Sequence, residues 1–341
     1  MKTFAYLIHP INVRQLRNFS LLIRLIPRFL LKIFFKRTWP FIVYKVKNFP
    51  SAGNTRPAQG FFIVLPELIS CTHKEALAAM ERIIAVGAIA HKTGAAILGL
   101  GGYAALFCDK GYTAIRGLKI PLTSGSTFAA WSAFEAVYRM SKIKRLDLSR
   151  AHVAIINAAG AIGSLCSRKI SGCVSKITLS SNPELEFKLK HLQEIILQLN
   201  PTTETVVHIS VARAVRDADI VIFADDIPEA ELDISDFRPN TIFCDVSVSG
   251  LLAAKAKSRP DISVVRAGLI KMPRPVKLGI NIGLPAGIIP ASLAETILLL
   301  WEGKFTNYSL GESINLDKME EIADIATKHG FEVWVPEAPI L

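Results

Sequence analysis

The chain has 341 residues, 50% of them hydrophobic and 20% charged, enough apolar side chains for the cores of two ordinary domains and too many for a disordered or fibrous polymer. Lys and Arg number 40 against 29 Asp and Glu, a formal net charge of +11 that favours anionic partners without naming one. Cys71, Cys108, Cys166, Cys173 and Cys244 are odd in number and include no Cys-x-x-Cys pair, so neither a disulfide framework nor a zinc ribbon is indicated, and they read as reduced thiols.

In chain order, Met1 to Pro10 lacks the long apolar core and small-residue cleavage site of a signal peptide. The long charge-free runs Thr93 to Cys108 and Leu278 to Ala294 are Gly- or Pro-rich and fall short of the ~18 residues of a membrane-spanning helix, so a cytoplasmic protein is expected. Between them and the N-terminus, Arg17, Arg24, Arg28, Lys32 and Lys36 recur at helical spacing among apolar residues. Such a basic amphipathic stretch lies on an anionic membrane surface, meets an acidic carrier protein, or packs on the core with its charged stripe in water. Pro27 argues against one continuous helix.

Phe41 to Lys47 and Phe61 to Leu65, around a turn-rich stretch from Ser51 to Pro57, read as two strands of a hairpin-like unit. Glu67 to His91 is helical in pattern, and Ala95 to Tyr103 is a buried strand running into a glycine turn. Phe128 to Met140 is a helix entered from Thr123 to Thr127. Residues 1–146 therefore form an α/β domain. After the charged stretch Lys142 to Arg150, strands alternate with helices at His152 to Ile156, Lys176 to Ser180, Val206 to Ser210, Asp219 to Ala224, Thr241 to Val246 and Ile262 to Ala267. Six strands so spaced predict a doubly wound parallel sheet, a Rossmann domain over 147–288. Helices from about Ala291 to Glu302 and from Leu316 to Lys328 make up a segment, 289–341, that returns to the first domain.

The first strand of that sheet runs into Asn157-Ala158-Ala159-Gly160-Ala161-Ile162-Gly163 and then into helical sequence. Such a turn brings backbone N–H groups and a helix N-terminus to a dinucleotide diphosphate. Two of the three usual glycines are present, and Asn157, at the first, tolerates left-handed backbone angles. Asn157, Ala158, Gly160, Ala161, Ile162 and Gly163 are thus candidate cofactor contacts, joined by Ala224 at the end of the fourth strand and by Ser181 and Asn182 after the second. That last position usually carries a carboxylate for the ribose hydroxyls or an arginine for a 2′-phosphate. Ser181 and Asn182 are neither, which leaves NADPH and NADH both open. The histidines show no metal-ligand spacing, no metal site is expected, and nucleic-acid-reading motifs do not accompany the positive charge.

Over nearly its whole length the chain resembles the aldehyde-forming long-chain acyl-(acyl-carrier-protein) reductases of cyanobacterial type and related bacterial predicted amino-acid dehydrogenases. The matching stretches are Phe4 to Pro10, Leu65 to Leu68, Leu100 to Tyr103, Thr123 to Thr127, Gly160 to Ser164 and Ala291 to Glu295, and above all Trp301 to Ser309 with Lys318 to Glu320 and His329 to Phe331. The resemblance implies an acyl-binding domain, in which Gly101, Gly102, Tyr103, Ser126 and Thr127 would meet substrate. It also implies an NADPH-binding Rossmann domain and an acyl carrier protein or acyl thioester as partner. In that family a cysteine at the start of the later helix takes the acyl group, and hydride then releases an aldehyde.

Here the matching position is Ser292, the candidate catalytic residue. A serine hydroxyl needs a general base, for which His9 is the one candidate in the sequence. Ser292-Leu293-Ala294-Glu295 also fits Ser-x-x-Glu, a capping box at a helix start. Other departures are Asn157 for glycine, Ser126 for asparagine, Ser181 for the phosphate-binding arginine, and Val246-Ser247 for two glycines after Asp245. Cys244 beside that aspartate reads as core. Two rival readings stand beside the reductase: a shikimate-dehydrogenase-like reductase of a small hydroxy or amino acid, and a non-catalytic relative that binds dinucleotide or acyl carrier protein.

Overall fold

The computed structural model describes residues 2–8, 39–49, 58–65, 73–102, 104, 118–224, 232–276, 278–280, 282–310 and 314–335. In chain order the elements begin with β1 (Thr3–Ile8), β2 (Phe41–Phe49), β3 (Ala58–Val64), α1 (His73–Lys92), β4 (Ile97–Leu100), β5 (Leu122–Thr123) and α2 (Ser126–Ile143). There follow β6 (His152–Ile156), α3 (Ala161–Ile170), β7 (Lys176–Ser180), α4 (Glu186–Leu199), β8 (Glu204–Val207), α5 (Val211–Val215) and β9 (Ile220–Phe223). The last are β10 (Ile242–Asp245), α6 (Leu251–Ala256), β11 (Ser263–Arg266), β12 (Leu269–Lys271), β13 (Ile288–Pro290), α7 (Ala291–Glu302), α8 (Leu316–Lys328) and β14 (Glu332–Val333). The basic stretch from Arg17 to Lys36, His9 and Tyr103 lie outside the described residues. None of the described helices is long and apolar enough to cross a membrane.

Two compact units emerge, one from Met1–Gly125, Ile270–Ile314 and Glu321–Glu332, the other from Ser126–Leu269, Asn315–Glu320 and Val333–Leu341. In the first, a sheet runs β2-β3-β1-β4-β5, antiparallel only at β2–β3, the pair expected from the sequence. Strand side chains alternate between faces. Ala5 and Leu7 therefore join Ile63, Leu98 and the α1 residues Ile83, Val86 and Ala90 in one core. Phe4 and Tyr6 point the other way, meeting Phe62 edge-on, and on that face α7 packs against β1, β3, β4 and β5. Ten of the twelve α7 residues are buried, so this helix is apolar nearly all round, as a core helix must be. Gly303 ends it in the left-handed region, with φ 71°, its N–H returning to Leu300 O.

The second unit is a six-stranded sheet in the order β11-β10-β9-β6-β7-β8 with every neighbouring pair parallel. In order of appearance that is 3-2-1-4-5-6 reversed, the doubly wound arrangement expected from the sequence. Its strands read as unbroken apolar runs such as Val153 to Ile156 and Ile220 to Phe223, because helices cover both faces. Cys244 is core, as expected. Its thiol and that of Cys166 are buried beneath α2 carbonyls, and burial pushes both upward, Cys166 to about 12.

The units divide at Gly125/Ser126 and Leu269/Ile270, where the sequence reading put 146/147 and 288/289. The first difference has a packing cause: α2 lies along α3, β10 and β11 and so belongs with the parallel sheet. The charged stretch from Lys142 to Arg150 marks the exposed end of a helix already inside the second unit.

Candidate functional site

In the second unit the strand order reverses at β6, which has β7 on one side and β9 on the other. Ligands of open α/β sheets sit at the carboxyl ends of the strands at such a switch. There Asn157 takes φ +62°, and Ser181 Oγ donates to its Oδ1 at 3.1 Å. The Ala158 N–H donates to Ser180 O and the Gly160 N–H to Asn157 O, folding the turn back on itself. Gly160 caps α3 with no side-chain hydrogen bond, the kind of helix start at which the first-turn amides can receive a phosphate. A Cβ on Gly163 would overlap Asn157 O and lie 2.8 Å from Ala158 Cα. The turn and the helix are thus as close as backbone allows, and these residues fit a dinucleotide diphosphate.

Around the turn, Ala224 is buried, its N–H on Ile156 O. Asn182 caps the following 3₁₀ turn by accepting from the Glu184 N–H at 3.1 Å. Ser181 therefore spends its hydroxyl on the Asn157 side chain of the neighbouring turn, and Asn182 its side chain on its own loop. Asp245, fully buried at the end of β10, accepts from the Ser247 N–H at 2.8 Å, the Ala253 N–H at 3.0 Å and Arg266 at 3.4 Å, fixing the segment that departs from the double-glycine pattern. Among the described residues no cluster of three or more His, Cys, Asp or Glu is placed to hold a metal.

In the first unit the capping-box expectation is corrected. Pro290 is the N-cap of α7, so Ser292 stands one position inside the helix and its hydroxyl bonds the Tyr6 hydroxyl at 2.7 Å. Glu295 points into the core instead of back to the helix start, accepting from Thr123 Oγ1 and, at 2.6 Å, from Ser309 Oγ. With Ser124 Oγ on Ser309 O and the Tyr308 N–H on Leu122 O, the buried carboxylate ties the β5 segment to the chain at 308–309. Glu295→Ala strands two buried hydroxyls. We expect a loss of roughly 2–3 kcal/mol in denaturant unfolding, with Glu295→Gln less damaging because its amide oxygen still accepts.

Glycines press on the Tyr6–Ser292 pair from three sides. Gly99 pairs with Tyr6 across β4 and β1, and a Cβ there would overlap Thr296 Oγ1. One on Gly101 would lie 2.8 Å from the Tyr6 hydroxyl, and one on Gly125, where φ is +79°, would overlap Ser292 Cα and Cβ. Tyr6 was not identified from sequence. The signal was present as an aromatic–aliphatic alternation from Phe4 to Ile8 opposite a strand containing Gly99, but nothing local joins it to Ser292. Gly102 has φ +59°, and Thr127 is fully buried.

Burial pushes the Tyr6 phenol up to about 12, from an ordinary value near 10. At neutral pH it keeps its proton, so Tyr6 does not serve as a general base for Ser292. Because the folded value is raised, this burial stabilises the fold fully below pH ~10, and the contribution is lost as pH rises from ~10 through about 12. An alkaline denaturation series should accordingly show wild type losing more stability than Tyr6→Phe across that interval; parallel curves would count against the buried phenol.

No protein-family model matches the chain. Among curated proteins it is 25% identical over 253 residues to the aminotransferase PigE of Serratia sp., a match covering 71% of this chain and 28% of that protein. It is 24% identical over 284 residues to the long-chain acyl-[acyl-carrier-protein] reductase of Synechococcus elongatus, covering 79% of this chain and 80% of the reductase. Of solved structures, shikimate 5-dehydrogenase from Listeria monocytogenes overlaps 95% of this chain and 96% of its own at TM-score 0.41 and 10% identity. L-tryptophan dehydrogenase from Nostoc punctiforme overlaps 96% of this chain and 83% of its own at TM-score 0.40 and 12% identity. The description of the fold stands on its own strand order and not on these overlaps.

Proposed function

We propose that this chain is a nicotinamide-dependent oxidoreductase that reduces an acyl thioester or related carbonyl to an aldehyde. The observation that carries the reading is the Asn157–Gly163 turn at the switch point of a doubly wound sheet, closed so tightly that Gly163 has no room for a Cβ. The similarity to the Synechococcus reductase over most of that protein's length supports the choice of substrate class. For the PigE match, only a segment of the aminotransferase is concerned.

Asn157, Ala158 and the amides of Ala161 to Gly163 would hold the diphosphate. A nicotinamide dinucleotide held there would supply hydride for reduction of a carbonyl carbon. The chain's own part falls to Tyr6 and Ser292. In the first unit the Tyr6–Ser292 hydroxyl pair would offer a proton donor to the carbonyl oxygen of a substrate. For a thioester, re-forming C=O then breaks the C–S bond and releases a thiolate and the aldehyde. This direct route needs no acyl-serine. An acyl carrier protein is the proposed thioester donor.

The test is aldehyde formation from a long-chain acyl carrier protein with NADPH and with NADH, wild type beside Ser292→Cys. Aldehyde from the wild type supports direct reduction. Aldehyde from Ser292→Cys alone means that a covalent route was lost, and dinucleotide binding without turnover of any carbonyl substrate makes the chain a binding protein.

A further inference from the structure

The charge of this chain is segregated along its length. Residues 1–66 hold 11 of the 40 Lys and Arg and no Asp or Glu, the first carboxylate being Glu67, and the remaining 29 cations face 29 anions. The whole net charge of +11 therefore belongs to those 66 residues, which also carry nine of the 18 Phe. Their described part reaches the edge of the first sheet. There β2 is the outermost strand, and Lys45 stands opposite Phe61 of β3 with its ammonium 4.9 Å from the ring centre. Ile42 stands opposite Ile63, two residues from Phe61, so the register shift between Ile42 and Tyr44 turns Ile42 and Lys45 to the same face. Trp39, just before the strand, is 70% exposed and Ile42 41%, and Lys47 is exposed two residues beyond Lys45. Among the described residues neither lysine forms an ion pair.

We propose that this edge of the first unit docks on an anionic membrane surface, Trp39 and Ile42 entering among the headgroups while Lys45 and Lys47 meet lipid phosphates. A bilayer interface accepts an indole at headgroup level and lysines whose stems lie on apolar rings. Nucleic acid would match the charge and leave Ile42 in water. The apolar centre of a protein interface excludes lysine, which here lies over Phe61 itself. The proposal is independent of the reductase reading, because β2 contributes to neither the Asn157–Gly163 turn nor the Tyr6–Ser292 pair.

Co-sedimentation of the full chain with vesicles of phosphatidylcholine alone, and of phosphatidylcholine mixed with phosphatidylglycerol, tests this. Wild type should partition at least about ten-fold more strongly onto the mixed vesicles, with a preference that shrinks as salt rises. Lys45→Gln with Lys47→Gln should weaken that partition roughly ten-fold or more. Trp39→Ala with Ile42→Ser should weaken it at least about five-fold while leaving retention on heparin unchanged. Brominated acyl chains should quench the emission of wild type more than that of Trp39→Phe. All four side chains are exposed, so these replacements leave the fold intact, and unchanged melting curves check this. Equal partition onto the two kinds of vesicle, or binding to neither, overturns the proposal. So does wild-type partition by either double variant, which would leave this edge to a soluble acidic protein or a nucleic acid.

Discussion

Gly163→Ala is expected to weaken dinucleotide binding by at least about a hundred-fold and to cost the fold roughly 2–3 kcal/mol. The added methyl collides with two backbone atoms, Asn157 O and Ala158 Cα, neither of which yields as a flexible side chain would. Relief requires α3 to move off the turn. That carries the amides of Ala161 to Gly163 away from the diphosphate and breaks the Gly160 N–H to Asn157 O bond that shapes the turn. Calorimetric titration and urea unfolding on the same preparation read both effects. Retention of wild-type affinity by Gly163→Ala would remove the turn from the binding site.

Ser292→Ala should lower turnover by ~10²–10³-fold with little change in dinucleotide affinity, the loss found when one donor to a developing oxyanion is removed. Tyr6→Phe should lower it by a similar factor, and the double variant by little more than either alone, since the two hydroxyls form one hydrogen-bonded unit. The rate should also stay level up to pH 10 so far as Tyr6 is concerned, because its proton is held until about 12. Additive losses in the double variant, or a decline of the rate in step with an ordinary phenol, would separate Tyr6 from the chemistry.

Much of this architecture can be read from the linear chain. The six strands of the parallel sheet lie within three residues of their expected places, and α7 and α8 match their expected limits, because apolar runs, glycine turns and 3.6-residue periodicity are local signals. The dinucleotide turn was legible for the same reason: all its members lie within seven consecutive residues. The capping-box reading of Ser292 to Glu295 went astray through the same locality. Spacing identifies a serine three residues before a glutamate, but not that Pro290 already occupies the N-cap or that two hydroxyls from 123 and 309 draw the carboxylate inward. The border read at 147 rests on a change in composition, which marks where a helix ends and not which sheet it covers.

Fold class and the glycine turn after β6 thus follow from short-range pattern. The partner of Ser292 does not: Tyr6 is 286 positions away, and the two meet because β1 is central in its sheet and α7 packs across the face bearing Tyr6. A hydrogen bond between distant segments is a property of packing, with strand register and helix face setting which side chains meet. No periodicity along the chain encodes that meeting.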